Sequence, residues 1–190
     1  MIQIRHERIS DIGAREALLD QAFGDTRYRK SSERLREDRL PAEGLAFIAA
    51  DGKQVVGTAR LWNVGCGNDA RALLLGPVAV SEDRRGEGIG AALVRRGVRE
   101  AKRLGYGAVI LVGDAPYYGR FGFTADKTGA LWMPGPFERH RLLAVELAPG
   151  ALDGARGMIS PAGRPEPKPD LAALVAQDRR AMRRPPRRAA

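Results

Sequence analysis

Residues Leu75–Ala92, LGPVAVSEDRRGEGIGAA, run from an apolar segment through a polar turn into a glycine-rich loop, Arg85–Gly90, that opens into a helix. Glycines at alternate positions of this loop let the backbone N–H groups approach an anion closely, and the helix N-terminus adds partial positive charge. The guanidinium of Arg85 can donate charge-assisted hydrogen bonds to phosphate oxygens. The stretch therefore predicts a pyrophosphate-binding site.

Two common glycine motifs fit this loop poorly. A nucleotide P-loop has Lys and then Ser or Thr after its last glycine, whereas Ala91 and Ala92 stand here. The dinucleotide fingerprint G-x-G-x-x-A is matched, with Asp114 as the acidic residue 114 − 91 = 23 positions later. That fingerprint, however, lies directly at the end of a first strand. Here the strand ends only at residue 80 of the chain, Val80, and five polar residues separate it from the first glycine.

A third motif fits both this loop and a segment further along the chain. The pattern Arg85-x-x-Gly88-x-Gly90 resembles the acetyl-CoA pyrophosphate loop of the GNAT-superfamily acetyltransferases. Residues 115–123, APYYGRFGF, resemble the FYxxxGF segment of the same family. One helix and one strand fit between the two segments, and two linked motifs in the expected order are far more specific than one glycine loop.

The resemblance implies an acetyl-CoA-dependent N-acetyltransferase that moves an acetyl group to a primary amine by direct transfer in a ternary complex, with no metal. The pantetheine arm would lie along the strand before the loop, and a backbone N–H at about Val80 would meet the thioester oxygen. Tyr118 matches the tyrosine expected to act as general acid for the departing thiolate, or else only to pack against the sulfur. The cofactor-binding residues predicted in this way are Val78, Ala79, Val80, Arg85, Gly86, Glu87, Gly88, Ile89, Gly90 and Ala91.

The general base and the acceptor stay open at this stage. Several acidic and histidine side chains are candidates for the base, none with a distinguishing feature, and a water chain is an alternative: Glu43, Asp69, Glu138, His6, His140 and Asp114, the last of which we expect instead to cap a short helix. The acceptor should be bordered by residues 25–30, by the helix that follows them and by residues 132–139. An excess of basic side chains over residues 25–30 indicates an acceptor with an anionic group besides its amine.

Periodicity predicts the element order β-α-α-β-β-β-α-β-α-β-β. The fold is an α/β protein with a mixed, mostly antiparallel central sheet and flanking helices, as the GNAT resemblance also implies. A crossover helix should join two parallel strands, Leu73–Val80 and Ala108–Val112. The remaining expected elements are a first strand at residues 1–5, a helix from about residue 11 to 23, a short charged helix from residue 31 or 32, a hairpin of 45–50 with 54–63, a short helix at 115–121, a strand from Phe123 and a last strand at 142–147.

Composition predicts one domain over residues 1–150 and a Pro/Arg-rich extension over 151–190, with a candidate helix at 170–184. Residues 161–190 carry eight basic and three acidic side chains, so that +5 of the net charge of +9 lies there. We therefore attribute the high net charge to the tail rather than to a nucleic-acid-binding fold. The single cysteine, Cys66, and the lack of any long apolar run favour a cytoplasmic protein with no membrane partner.

Other functions fit the same sequence. The chain could be a non-catalytic acyl-CoA-binding regulatory module, which the missing base favours and Tyr118 opposes. A nucleic-acid contact through the arginine-rich tail is a minor alternative. A covalent acetyl-cysteine at Cys66 is not needed for direct transfer. An edge strand near the end of the domain would permit a homodimer.

Overall fold

The computed structural model describes residues 1–167, which form a sheet with helices on both of its faces. The strands are β1 (Ile2–His6), β2 (Ala46–Asp51), β3 (Gln54–Cys66), β4 (Arg71–Val80), β5 (Ala108–Val112), β6 (Leu131–Trp132), β7 (Leu142–Glu146) and β8 (Gly157–Pro161), and the helices are α1 (Ile12–Phe23), α2 (Ile89–Arg103) and α3 (Ala115–Tyr118). The mixed, mostly antiparallel sheet predicted from the sequence is confirmed. The candidate helix at 170–184 lies outside the described residues.

The main path of the sheet is β1-β2-β3-β4-β5-β7, and β8 pairs with both β3 and β6. In the described part of the chain, β4 with β5 and β6 with β8 are the parallel pairs, and the other pairs are antiparallel. Helix α2 is the crossover between β4 and β5, as predicted. The Asp51–Gln54 pair closes the β2–β3 hairpin over a two-residue turn in which Gly52 has φ +58°.

Both faces of the central strands are buried. Leu73 and Leu75 of β4 pack in the cluster that holds the apolar side of α2, whereas Leu74 between them packs on the opposite face with Trp62. Ala79, near the end of β4, contacts two leucines of α1. This two-sided burial explains why these strands have continuous apolar sequences instead of an alternating pattern.

The short charged helix predicted from residue 31 or 32 is reduced to one turn of 3-10 helix, Glu33–Leu35, whose N-cap is Ser32. Residues Gly24–Arg29 before it also form a stretch of 3-10 helix. A helix in a protein is stabilised mainly by burying an apolar face, and this segment buries one large apolar side chain, Leu35. Its polar side chains contact other elements instead: Arg27 forms an ion pair with Glu16 of α1, and Arg34 donates to the carbonyl of Pro134.

The sheet also continues past residue 150, where the composition changes. Strand β8 pairs with the end of β3, and Leu152, Ala155 and Ile159 are buried. The predicted boundary therefore falls inside the packed region. The strand predicted from Phe123 is reduced to an isolated bridge between Thr124 and Ala144, followed by the two residues of β6. No helix of the described residues is long and apolar enough to cross a membrane.

Candidate active site between the two parallel strands

The candidate site is a cleft formed where β4 and β5 separate. Their pairing consists of Leu73 with Val109 and Leu74 with Ile110, after which β4 continues to Val80 without β5. Within the described residues, this edge of β4 therefore has backbone N–H and C=O groups that no strand pairs. A cleft of about 400 Å³ opens beside it, lined by residues 74–78 of β4, residues 112–114 at the end of β5, and Tyr118.

The glycine-rich loop lies immediately beyond this edge. Gly86 and Gly88 have φ +88° and +79°, a left-handed conformation that L-residues adopt at a cost, and Gly88 is the N-cap of α2. A Cβ atom at Gly90 would lie 3.2 Å from the Tyr117 hydroxyl. The predicted cofactor-binding residues are thus neighbours in the structure. They lie at the end of β4, in the glycine-rich loop and in the first turn of α2.

Arg84, to which the sequence analysis gave no role, holds the loop in place. Its Nη1 donates to Asp51 at 2.9 Å and its Nε donates to Glu87 at 2.8 Å, which ties the loop to the β2–β3 turn. Arg85 is exposed, and its contact with Glu82 is long, at 3.7 Å. Arg85 is therefore the guanidinium that remains accessible to a ligand, whereas Arg84 has a positioning role.

Tyr118 is placed at the cleft by α3. The Asp114 side chain accepts from the backbone N–H of Tyr117 at 3.2 Å, as predicted for an N-cap. The Tyr118 ring packs between Tyr117 and Phe123. Its hydroxyl forms no hydrogen bond with any described residue. Burial, followed by the nearby Tyr117, raises the pKa of Tyr118 to about 12, so the phenol keeps its proton at neutral pH.

One signal for Tyr118 was missed in the sequence, namely Gly113. A Cβ atom at Gly113 would lie 2.2 Å from Cε2 of Tyr118, which is far inside van der Waals contact. The glycine at the end of β5 is therefore what lets the tyrosine ring reach the cleft. A small residue directly after a buried strand and before an aromatic pair is the pattern that could have indicated this contact.

The lining of the cleft is rich in charged side chains. Five basic and three acidic residues line it: Arg27, Lys30, Arg36, Arg60, Arg141, Glu16, Glu33 and Asp114. Glu16 and Glu33 were not among the candidate bases, because they belong to segments that the sequence assigned to ordinary charged helix faces. Of the six residues that were candidates, Asp114 lines the cleft, but its carboxylate caps α3; Glu138 lines an adjoining smaller cavity.

The carboxylates of Glu16 and Glu33 differ in their contacts. Glu16 accepts from Arg15 at 2.6 Å and from Arg27 at 2.5 Å. Partial burial acts to raise its pKa, but these two guanidinium groups outweigh burial and hold the pKa of Glu16 below its usual range. Glu33 accepts from Arg36 through one oxygen, Oε2, and its other oxygen has no partner among the described residues.

Cys66 lies away from the cleft, at the end of β3. It is fully buried, and burial raises the pKa of its thiol to about 11. A thiol of this kind is a poor nucleophile at neutral pH. The structure thus gives no support to an acetyl-cysteine intermediate.

Three features together define an acyl-CoA N-acyltransferase fold. They are a mixed sheet in which two parallel strands separate, a glycine loop at the start of the crossover helix, and a tyrosine after the next strand. Residues 14–123 match the model of the acetyltransferase (GNAT) family. The chain belongs to that family, and the acyltransferase class implied by the two sequence motifs is confirmed.

Similar proteins agree with this assignment. The uncharacterized N-acetyltransferase YhbS of Escherichia coli K12 is 32% identical over 157 residues, which are 82% of this chain and 93% of YhbS. The crystal structure of E. coli YhbS in complex with CoA superposes with a TM-score of 0.71 and covers 84% of this chain and 88% of that chain. A GNAT-family acetyltransferase from Brucella melitensis in complex with acetyl-CoA is 26% identical, with a TM-score of 0.61 over 84% of this chain and 95% of that chain.

Proposed function

We propose that this protein transfers the acetyl group of acetyl-CoA to a primary amine directly, in a ternary complex. The observation that carries the proposal is the unpaired edge of β4, which ends at the glycine loop and faces Tyr118 across one cleft. The CoA and acetyl-CoA complexes of the two similar structures support the choice of donor.

The donor would be held mainly by backbone groups. The pyrophosphate would accept from the amides of the loop between Gly86 and Gly90 and from Arg85. The pantetheine amides would pair with Val78–Val80 as an added strand does. A backbone N–H at about Val80 would then donate to the thioester oxygen, an interaction typically worth about 3–4 kcal/mol in the transition state. Pro77 has no N–H and therefore cannot be one of the donors of this edge.

The transfer itself needs one bond to form and one to break. The neutral amine attacks the thioester carbon, the C–S bond breaks, and the thiolate takes a proton from the Tyr118 hydroxyl. The attacking amine loses one proton to water or to a carboxylate of the cleft. Tyr118 regains one proton from the same source, so that no net proton is gained or lost by the protein. Because the pKa of Tyr118 is raised to about 12, the phenol is in its donor form when the thiolate departs.

The experiment that tests the proposal measures free CoA after the protein is mixed with acetyl-CoA, with and without pooled primary amines, beside calorimetric titration with CoA. We expect CoA to bind and thiol release to depend on the amines. Binding without amine-dependent release would favour the non-catalytic acyl-CoA-binding module instead. No binding would contradict both.

The cytoplasmic location and the homodimer stay predictions. The nucleic-acid contact through the tail concerns residues largely beyond those that the structure describes. Removing residues 168–190 and measuring salt-dependent RNA binding would test the last of these, since binding through lysine and arginine weakens with salt.

A further inference from the structure

The segment between α1 and β2 contributes two charged groups to the cleft, the ammonium of Lys30 and the carboxylate of Glu33. Lys30 and Glu33 are one turn apart, and the backbone N–H of Glu33 donates to the carbonyl of Lys30 at 2.9 Å. Both side chains line the cleft, together with Arg36 of the same segment and Arg141, which directly precedes β7. Charges of both signs therefore line the same cleft as Tyr118.

The Lys30 ammonium has no anionic partner among the described residues. Instead, Nζ lies over the Phe23 ring, 4.3 Å from the ring centroid. Lys30 is exposed as a residue, but partial burial of its ammonium and the nearby cations Arg36 and Arg141 lower the pKa of Lys30. Three positive side chains thus converge on a place where a bound anion would relieve their repulsion.

The two guanidinium groups beside Lys30 are each already held. Arg36 donates to Glu33 through Nε at 2.8 Å and through Nη2 at 2.5 Å. Arg141 contacts Glu138 at 3.4 Å. These pairs fix the arginines in position but leave the charge of Lys30 uncompensated.

Glu33 supplies the opposite feature. Its Oε2 accepts both hydrogen bonds from Arg36, whereas its Oε1 has no partner in the part of the chain that the structure describes. An ammonium or amine N–H is a suitable donor for this second oxygen. The cleft therefore presents an acceptor for an amine and an attractor for an anion about one turn apart.

We propose that the acetyl acceptor is a primary amine that also carries a carboxylate or phosphate, with its anion at Lys30 and its amine between Glu33 and Tyr118. This inference rests on the proposed acetyl transfer and adds the chemical class of the acceptor. It disfavours polyamines, whose second charge is positive and would meet Lys30.

The test compares matched acceptors with acetyl-CoA at low salt: 5-aminopentanoate with pentylamine, and phosphoethanolamine with ethanolamine. We expect kcat/KM to be at least tenfold higher for the anionic member of one pair, and the pair that shows it identifies carboxylate or phosphate. Lys30→Gln should lower that value about tenfold, mainly through KM, and should lower the value for the neutral member much less. Lys102→Gln, an exposed lysine in the last turn of α2, is the matched control.

Preference for the neutral amine in both pairs would overturn the inference, as would equal losses for both members in Lys30→Gln. Transfer to no member of either pair would also overturn it. In that case amine-dependent CoA release with the pooled amines would show that acetyl transfer itself still stands. The two failures are thus distinguishable.

Discussion

The contact between Gly113 and Tyr118 determines where the proposed acid can lie. Because a methyl group at Gly113 would overlap the Tyr118 ring, Gly113→Ala must displace either the ring or the end of β5. We expect a loss of about 1–3 kcal/mol in the free energy of unfolding, as for other overpacked sites, and a fall in kcat. Gly119→Ala is the control, since a Cβ atom there meets nothing within 4 Å. Full activity and stability of Gly113→Ala would contradict this account.

The hydroxyl of Tyr118 can be tested apart from its ring. Tyr118→Phe keeps the packing against Phe123 but removes the proton donor. We expect kcat to fall about 100-fold, with CoA affinity nearly unchanged in calorimetry, because general acids contribute to the transition state and not to binding of the ground state. Tyr106→Phe is the matched control, because Tyr106 is partly buried against the same core but does not line the cleft. Equal losses in turnover and CoA affinity would refute the acid role.

The raised pKa of Tyr118 also has a consequence for alkaline stability. The folded protein keeps this proton up to about pH 12, whereas the unfolded chain loses it near the ordinary value of 10.0. The stabilising contribution is therefore complete below pH 10 and is lost as the pH rises to 12. Each pKa unit corresponds to about 1.4 kcal/mol. Between these pH values, denaturant titrations should show the wild type losing about 2 kcal/mol more than Tyr118→Phe; parallel losses would show that the phenol is not buried as described.

Single residues of the site could be predicted only where a local pattern identifies them. Tyr118 and the loop glycines belong to short motifs that can be recognised in the sequence. The difference between Arg84 and Arg85 depends on Asp51, which is 33 residues away from Arg84. The free oxygen of Glu33 and the uncompensated charge of Lys30 depend in the same way on contacts that no local pattern specifies.

At the scale of elements, the glycine loop and the helix that it begins form one unit. Gly88 has φ +79° at the N-cap of α2, and alanine adopts this conformation at a cost of roughly 1–2 kcal/mol. If CoA binding requires this backbone, Gly88→Ala should weaken it about 5- to 30-fold in calorimetric titrations. Gly13→Ala in α1 is the control, because a Cβ atom there meets nothing within 4 Å. An unchanged Kd for Gly88→Ala would show that the pyrophosphate lies elsewhere.

The elements that periodicity predicted best are those whose own side chains decide their packing. Helix α2 has a regular apolar face, and β4 and β5 are apolar throughout. The segment between α1 and β2 could not be predicted in this way, because polar contacts with other parts of the chain hold it. Arg27, for example, is buried against Glu16 of α1, which a sequence pattern would assign to solvent.

At the scale of the whole molecule, the least predictable feature is strand β8. The proline-rich composition after residue 149 is typical of a linker, yet residues 157–161 pair with β3 and β6. The pairing depends on the length of β3, whose last residues extend beyond the edge of β2 and offer free backbone groups. Sequence composition indicates only which conformation a segment prefers by itself. Strand β8 is stabilised by pairing with the end of β3, which comes much earlier in the chain.

Removal of residues 151–167 should therefore destabilise the domain. A chain ending at residue 150 loses two large buried side chains, Leu152 and Ile159, and exposes the apolar face that they cover. Burial of each such side chain contributes about 1.5–3 kcal/mol, so the free energy of unfolding should be about 3–6 kcal/mol lower than that of a chain ending at residue 167. Comparing these two truncations in urea isolates residues 151–167 from everything that follows them. Equal stability would mean that the domain is complete at residue 150 and that β8 adds nothing, whereas a large loss would mean that the sheet supporting the cleft requires this strand.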